Sequence, residues 1–181
     1  MKKLLLVNGS PRVKGNTEEA LNILKEEASK NFCEVTTINI VDYSIKGCIG
    51  CCSCKLGNNK CSLENDDMAM LLKKVEDADY IVFGTPVYWW GMTSQLKQFL
   101  DRFYSKLTIF QNLKKKVGIL IIGAAPVSDK EYDLISSQME CICRYLNWDF
   151  VFYERYSAIF PGEILKDNKN LESLKKVLMK F

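Results

Sequence analysis

The sequence contains no histidine. That absence removes imidazole as a general base, a proton shuttle and a metal ligand, so neither His-based catalysis nor a Cys/His zinc site is available. No apolar run approaches the ~20 residues that a bilayer span needs. Met1-Lys2-Lys3 leads directly into Leu4-Leu5-Leu6-Val7. That run is too short for the hydrophobic region of a secretory signal, and no small-residue cleavage site follows, so a cytoplasmic protein with no membrane partner is expected. Charge of one sign is also scarce. With 25 Lys+Arg against 22 Asp+Glu the net charge is +3, too small for the field that nucleic-acid binding requires. Internal repeats and low-complexity tracts are missing as well.

What is present is a chain of 181 residues, 48% of them hydrophobic, enough for a single domain over residues 1–181 with a sizeable core. Apolar runs alternate with helical stripes. Strands are expected at 4–7, 33–40, 80–84, 117–122 and 150–153. Between them, Leu21, Leu24 and Ala28, then Met68, Leu71, Leu72 and Val75, then Leu96, Phe99, Leu100 and Phe103 recur at helical spacing. Tyr132, Ile135, Met139, Ile142 and Leu146 mark a fourth helix, and Leu171, Leu174, Val177 and Leu178 a terminal one. Residues 160–170 read as a linker. Five strands alternating with helices predict an α/β fold, a doubly wound five-stranded parallel sheet with helices on both faces.

Ligands of such sheets sit beyond the carboxyl ends of the strands. Three loops there carry chemistry. Asn8 to Thr17 follows the first strand and opens the first helix. Gly9 and Gly15 let backbone N–H groups turn inward, while Ser10, Asn16 and Thr17 offer short polar side chains and Arg12 a charged fork. With the helix N-terminus these groups suit a phosphate, the plainer alternative being a polar turn with an ordinary cap. Asn16 is expected to cap the helix, with Glu19 completing a capping box. The second loop, Pro86-Val87-Tyr88-Trp89-Trp90-Gly91, has three consecutive aromatics that can shield a flat heteroaromatic ring, or else plug the sheet or meet a second subunit. The third, Gly123-Ala124-Ala125-Pro126, is small enough for close backbone approach.

Of eight cysteines, five lie from Cys48 to Cys61 in an irregular insert at about 43–66. In a reducing compartment such bunching points to metal or redox chemistry. Leaving Cys52 aside, Cys48, Cys51, Cys54 and Cys61 are spaced C-x2-C-x2-C-x6-C. Four thiolates this close suit an iron–sulfur cluster; structural thiols and a four-cysteine zinc site are the other readings. Cys33, Cys141 and Cys143 read as core or surface thiols. Cys141 and Cys143, two apart in a helix, face different ways.

Asn8-Gly9-Ser10-Pro11-Arg12 with Gly15-Asn16-Thr17, then Pro86 to Gly91, then Gln95 to Arg102 resemble the NADPH-dependent FMN reductase family, over residues 3 to about 125. The resemblance implies a flavodoxin-like fold and bound FMN, with Ser10, Arg12, Asn16 and Thr17 on its phosphate and residues 86–91 along its isoalloxazine. Gly15, Gly123 and Ala124 complete the expected cofactor contacts. The cysteine insert resembles the motif of iron–sulfur flavoproteins, a branch of that family, and this implies a [4Fe-4S] cluster on Cys48, Cys51, Cys54 and Cys61. Asp101-Arg102 reads as an ion pair at a helix end near a subunit contact. The function so implied is transfer of electrons from NAD(P)H through FMN to a quinone, flavin, nitro or azo compound, or to a protein. The alternatives are an electron carrier between proteins and a cysteine-rich sensor on a vestigial scaffold. No catalytic acid or base stands out. Trp89, Trp90 and the Phe99 to Tyr104 helix end offer aromatic surface for a homodimer or homotetramer.

Overall fold

Leu4, Leu5, Leu6 and Val7 are all buried, as a strand covered on both faces must be. They belong to β1 (Lys3–Asn8), the second strand of a five-stranded parallel sheet. In this computed structural model, which describes residues 2–30, 34–56 and 60–181, the chain continues through α1 (Asn16–Ala28) and β2 (Glu34–Asn39). The short α2 (Ser53–Leu56) lies within the cysteine insert, followed by α3 (Met68–Asp77) and β3 (Tyr80–Pro86). Then come α4 (Ser94–Asp101), extended by a 3-10 segment over Arg102–Lys106, α5 (Leu107–Gln111) and β4 (Lys116–Gly123). The chain closes with α6 (Lys130–Tyr145), β5 (Asp149–Ser157) and α7 (Asn168–Val177). Cys33 lies outside the described residues.

The strand order is β2-β1-β3-β4-β5 and every pairing is parallel. The chain leaves β1 for β2 on one side and later returns to place β3 on the other, so the carboxyl end of β1 is the topological switch point. Alternation along the strands divides the core. Leu5, Val7, Ile81, Phe83, Ile119 and Ile121 face α3, α4, α5 and α6. Leu4, Leu6, Val82, Leu120 and Ile122 face α1 and α7. Each fully buried Leu or Ile contributes about 1.5–3 kcal/mol through its removal from water, so both layers are needed.

Two glycines permit close packing. A Cβ on Gly84 would stand 2.8 Å from Thr17 Cγ2 and Leu21 Cδ1, so its absence lets the first turn of α1 sit on β3. Gly118 lies beneath the Phe152 ring, and the β4–β5 register shifts at Val117/Gly118 to seat that ring. The segment 160–170, expected as a linker, holds a 3-10 turn over Glu163–Leu165 whose Ile164 is fully buried.

Candidate active site at the carboxyl edge of the sheet

Beyond β1 the chain folds tightly on itself. Asn8 Oδ1 accepts from Ser10 N (3.0 Å) and Ser10 Oγ from Arg12 N (3.1 Å), so two buried polar side chains shape the loop from within. Gly9 N donates to Gly84 O (2.8 Å), and a Cβ on Gly9 would meet Leu96 Cβ at 2.8 Å; only glycine lets this loop lie between β3 and α4. Thr93, the cap of α4, donates to Gly9 O (2.6 Å) and accepts from Leu96 N (3.2 Å), which fixes the second ligand loop to the first.

The start of α1 differs from the expected capping box. The cap residue is Gly15, with no side-chain cap bond, and Asn16 is already the first helical residue. The Glu18 carboxylate, not that of Glu19, takes the loop N–H of Lys14 (2.5 Å). The physical reason is long-range. The Asn16 side chain donates from Nδ2 to Phe160 O (2.9 Å) and accepts at Oδ1 from Ile164 N (3.2 Å), partners 144 and 148 residues away. The leading N–H groups of α1 therefore keep their partial positive charge without a side-chain cap. Arg12, exposed beside them, makes no side-chain hydrogen bond or ion pair among the described residues.

These groups border one cavity of about 180 Å³. Ser10, Arg12, Gly15, Asn16 and Thr17 form one side, Pro86, Val87 and Tyr88 a second, and Ile122, Gly123 and Ala124 a third. Thus the structure brings together ten of the thirteen expected cofactor contacts. It adds a wall that the linker assignment missed, made by Ala158, Ile159 and Pro161. Sequence reasoning had only Pro161-Gly162 as a signal there, and that marks a turn without saying what the turn touches. Behind the third loop, the Tyr132 hydroxyl donates to Ala125 O (2.8 Å) and Tyr156 O (3.3 Å). Burial, then the neighbouring Glu131 charge, pushes Tyr132 up to about 12, so it remains a donor. Burial and Asp129 also raise Glu131, whose Oε1 is buried with no hydrogen-bond partner among the described residues.

Trp89, Trp90 and Gly91 do not border this cavity. They belong to a two-residue hairpin turn closed by Tyr88 N to Gly91 O (2.9 Å) and Gly91 N to Tyr88 O (3.1 Å). Both tryptophans have positive φ, 48° and 58°, and they are 91% and 56% exposed. Left-handed backbone at two consecutive bulky residues is strained, and such turns ordinarily carry Asn-Gly.

The cysteine insert packs elsewhere, on the end of α4. Cys48, Cys51, Cys52, Cys54 and Cys61 border a separate small cavity of about 50 Å³, together with Arg102. Five soft thiols around one space, the four expected ligands among them, match the donor chemistry of a sulfur-ligated metal group. Their sulfurs do not converge: among the described residues, no three His, Cys, Asp or Glu side chains are placed to hold a metal ion. Instead Cys51 Sγ lies 3.1 Å from Ser62 Oγ and accepts from Ser53 Oγ (3.4 Å). These hydroxyls, Ser53 first, lower its thiol to about 7. Cys141 is exposed and Cys143 buried, as their spacing requires, and burial pushes Cys143 up to about 12.

Asp101 and Arg102 do not pair with each other. Asp101 bonds Lys97 one turn back, while Arg102 turns inward and is 2% exposed. Its Nη1 donates to Lys46 O (2.8 Å) and Asp66 Oδ2 (2.5 Å), and its Nη2 to Leu63 O (3.1 Å) and Asp66 Oδ1 (3.4 Å). One guanidinium thus grips both arms of the insert. Burial alone would raise the Asp66 carboxyl, but Arg102 and the N–H groups of Lys46 and Met68 hold it below the usual carboxylate range. Phe99 and Phe103, expected as interface aromatics, are core residues; of the aromatics at that helix end Tyr104 alone is exposed.

A glycine-lined loop at the switch point, an uncapped helix start, a free arginine and a Pro-Val-Tyr wall share one cavity, and the comparison with known families agrees with that geometry. Residues 2–147 match the model of the NADPH-dependent FMN reductase family. The chain belongs to that family. Among curated relatives, an iron-sulfur flavoprotein of Methanocaldococcus jannaschii is 39% identical over 127 residues, covering 68% of this chain and 63% of that protein. The match therefore spans less than two thirds of that relative. YwqN of Bacillus subtilis, whose name is that of an NAD(P)H-dependent FMN-containing oxidoreductase, is 26% identical over 97% of this chain and 96% of its own. Among solved structures, an FMN-dependent NADH-azoreductase from Bacillus anthracis superposes with a TM-score of 0.73 over 99% of both chains at 14% identity, which shows the shared flavodoxin-like fold. In this member of the family, residues of the Ser10–Thr17 loop and of the Pro-Val-Tyr loop line one cavity.

Proposed function

We propose that this chain is an FMN-dependent oxidoreductase that takes electrons from NAD(P)H and delivers them to a small-molecule or protein acceptor. The observation that carries the reading is the shared cavity beyond β1, β3 and β4, where the Ser10–Thr17 loop meets Pro86, Val87, Tyr88, Gly123 and Ala124. FMN bound there would supply hydride and electron-transfer chemistry. The chain's own groups bind and orient. Arg12 contributes a charged fork to the phosphate, Ser10 and Thr17 contribute hydroxyls, and Gly15 and Asn16 contribute main-chain N–H groups at the start of α1. Pro86, Val87 and Tyr88 give the ring an apolar wall, with Trp89, Trp90 and Gly91 extending it outward. The small side chains of Gly123 and Ala124 leave room for close backbone contact.

The cysteine insert supports a further part of this reading: a [4Fe-4S] cluster on Cys48, Cys51, Cys54 and Cys61. It is favoured by the common cavity and by the iron-sulfur flavoprotein relatives. The exposed Trp89, Trp90 and Tyr104 favour a homodimer that covers them. Anaerobic purification with flavin, iron and sulfide analysis, followed by NAD(P)H oxidation with a quinone acceptor, tests these points together. Flavin with turnover and about four irons per chain is expected. Flavin and turnover without iron, even after reconstitution, would leave a plain flavin reductase. Turnover absent with every small acceptor would favour a carrier between proteins.

A further inference from the structure

Residues 158–164, in which the sequence shows only the start of a linker at 160, form a self-braced loop at the lip of the flavin cavity. Ala158 N donates to Gly123 O (2.9 Å), which anchors the loop beside the third ligand loop. The Glu163 carboxylate accepts from Ile159 N (2.6 Å) and Phe160 N (2.9 Å), bracing the loop from its own end. From the opposite side, the Asn16 side chain holds Phe160 O and Ile164 N. Gly162, at φ 75°, makes the turn that brings Glu163 back. The result holds Ile159 on the cavity and the neighbouring Phe160 beside it, 54% and 69% exposed.

Asn16 sits at the first helical position of α1 with its main-chain N–H among the proposed phosphate contacts, but its side-chain oxygen and nitrogen each bond this loop. Its oxygen and one of its two Nδ2 hydrogens are committed to the loop, and these two bonds fix the side chain's orientation toward Phe160 and Ile164. We propose that Asn16 is a positioning residue, which together with Glu163 holds Ala158 to Pro161 as the fourth wall of the flavin pocket, a wall that meets the part of the ligand common to FMN and riboflavin. This deepens the FMN reading and rests on it. The wall couples the start of α1 to the Gly123 loop, since Phe160 O and Ile164 N bond Asn16 and Ala158 N bonds Gly123 O.

The test uses apoprotein titrated with FMN and with riboflavin, for wild type, Asn16→Ala, Glu163→Ala and Arg12→Ala. Two lost hydrogen bonds predict that Asn16→Ala weakens both flavins by about tenfold, and Glu163→Ala does likewise from a site outside the phosphate loop. Arg12→Ala, by contrast, discriminates against FMN alone. Amide exchange adds an independent readout: FMN should slow exchange at Ile159, Phe160 and Ile164, and Asn16→Ala should remove that protection while the apoprotein melting temperature identifies any general loss of folding. Asn16→Ala that weakens FMN and spares riboflavin would make Asn16 a phosphate ligand and overturn the inference. So would Glu163→Ala binding both flavins as wild type does. A wild-type chain that binds neither flavin would remove the FMN reading itself, and this inference with it.

Discussion

Arg102 commits four of its five N–H donors to the cysteine insert and its carboxylate, and the fifth, on Nε, is buried without a partner among the described residues. Replacing it by methionine leaves the Asp66 side chain, 1% exposed, with no countercharge. Breaking one side of such a pair costs on the order of 3 kcal/mol, so urea unfolding of Arg102→Met should show a loss of that size. A loss near zero would mean the insert is held by other contacts. Lys115 offers a pH test. It is buried, with Nζ bonded to Glu76 O (2.9 Å) and Ala78 O, and burial pulls it down to about 8 from 10.5. Between those values the unfolded chain binds the proton and the folded chain does not, so this residue's contribution to stability rises with pH across that window. Relative to Lys115→Met, the wild type should gain stability between pH ~8 and ~10; a constant difference would contradict the assignment. At this scale the sequence showed which residues carry chemistry and not what they touch. Asn16 and Arg102 were both visible as polar groups in motifs, but their partners lie 144 and 36 residues away, and no local pattern encodes such contacts.

At the scale of the element, the five strands and the long helices were legible because each buries a face, and burial imposes a period. The insert was legible only as irregular: its short α2 has no buried residue to set a period, and its order comes from Arg102. The turn at Trp89-Trp90 was legible as an anomaly. Two tryptophans at positive φ cost roughly 1–3 kcal/mol each, so Trp89→Asn with Trp90→Gly should stabilise the fold by about 1 kcal/mol or more. Chemical denaturation checks it, with NAD(P)H turnover measured alongside. Stability gained and turnover lost is the result expected of strain retained for function; no gain in stability would mean the turn is relaxed as it stands.

For the whole molecule, the alternation of strand and helix predicted a doubly wound sheet, and the order β2-β1-β3-β4-β5 places the switch point at β1. The candidate site follows from that topology, because loops distant in sequence meet wherever parallel strands end together. Three of its four walls were therefore readable beforehand. The fourth was not, since a loop after the last strand can fold over any part of the edge. The central claim is that this cavity takes one FMN per chain with its phosphate on the Ser10–Thr17 loop. Calorimetric titration of apoprotein with FMN and riboflavin, for wild type and Arg12→Ala, tests it most directly. One charge-assisted hydrogen bond contributes ~1.5–3 kcal/mol, so Arg12→Ala should weaken FMN by roughly tenfold or more and leave riboflavin nearly unchanged, at a stoichiometry of one. Equal weakening of both flavins, or no FMN binding by the wild type, would contradict it.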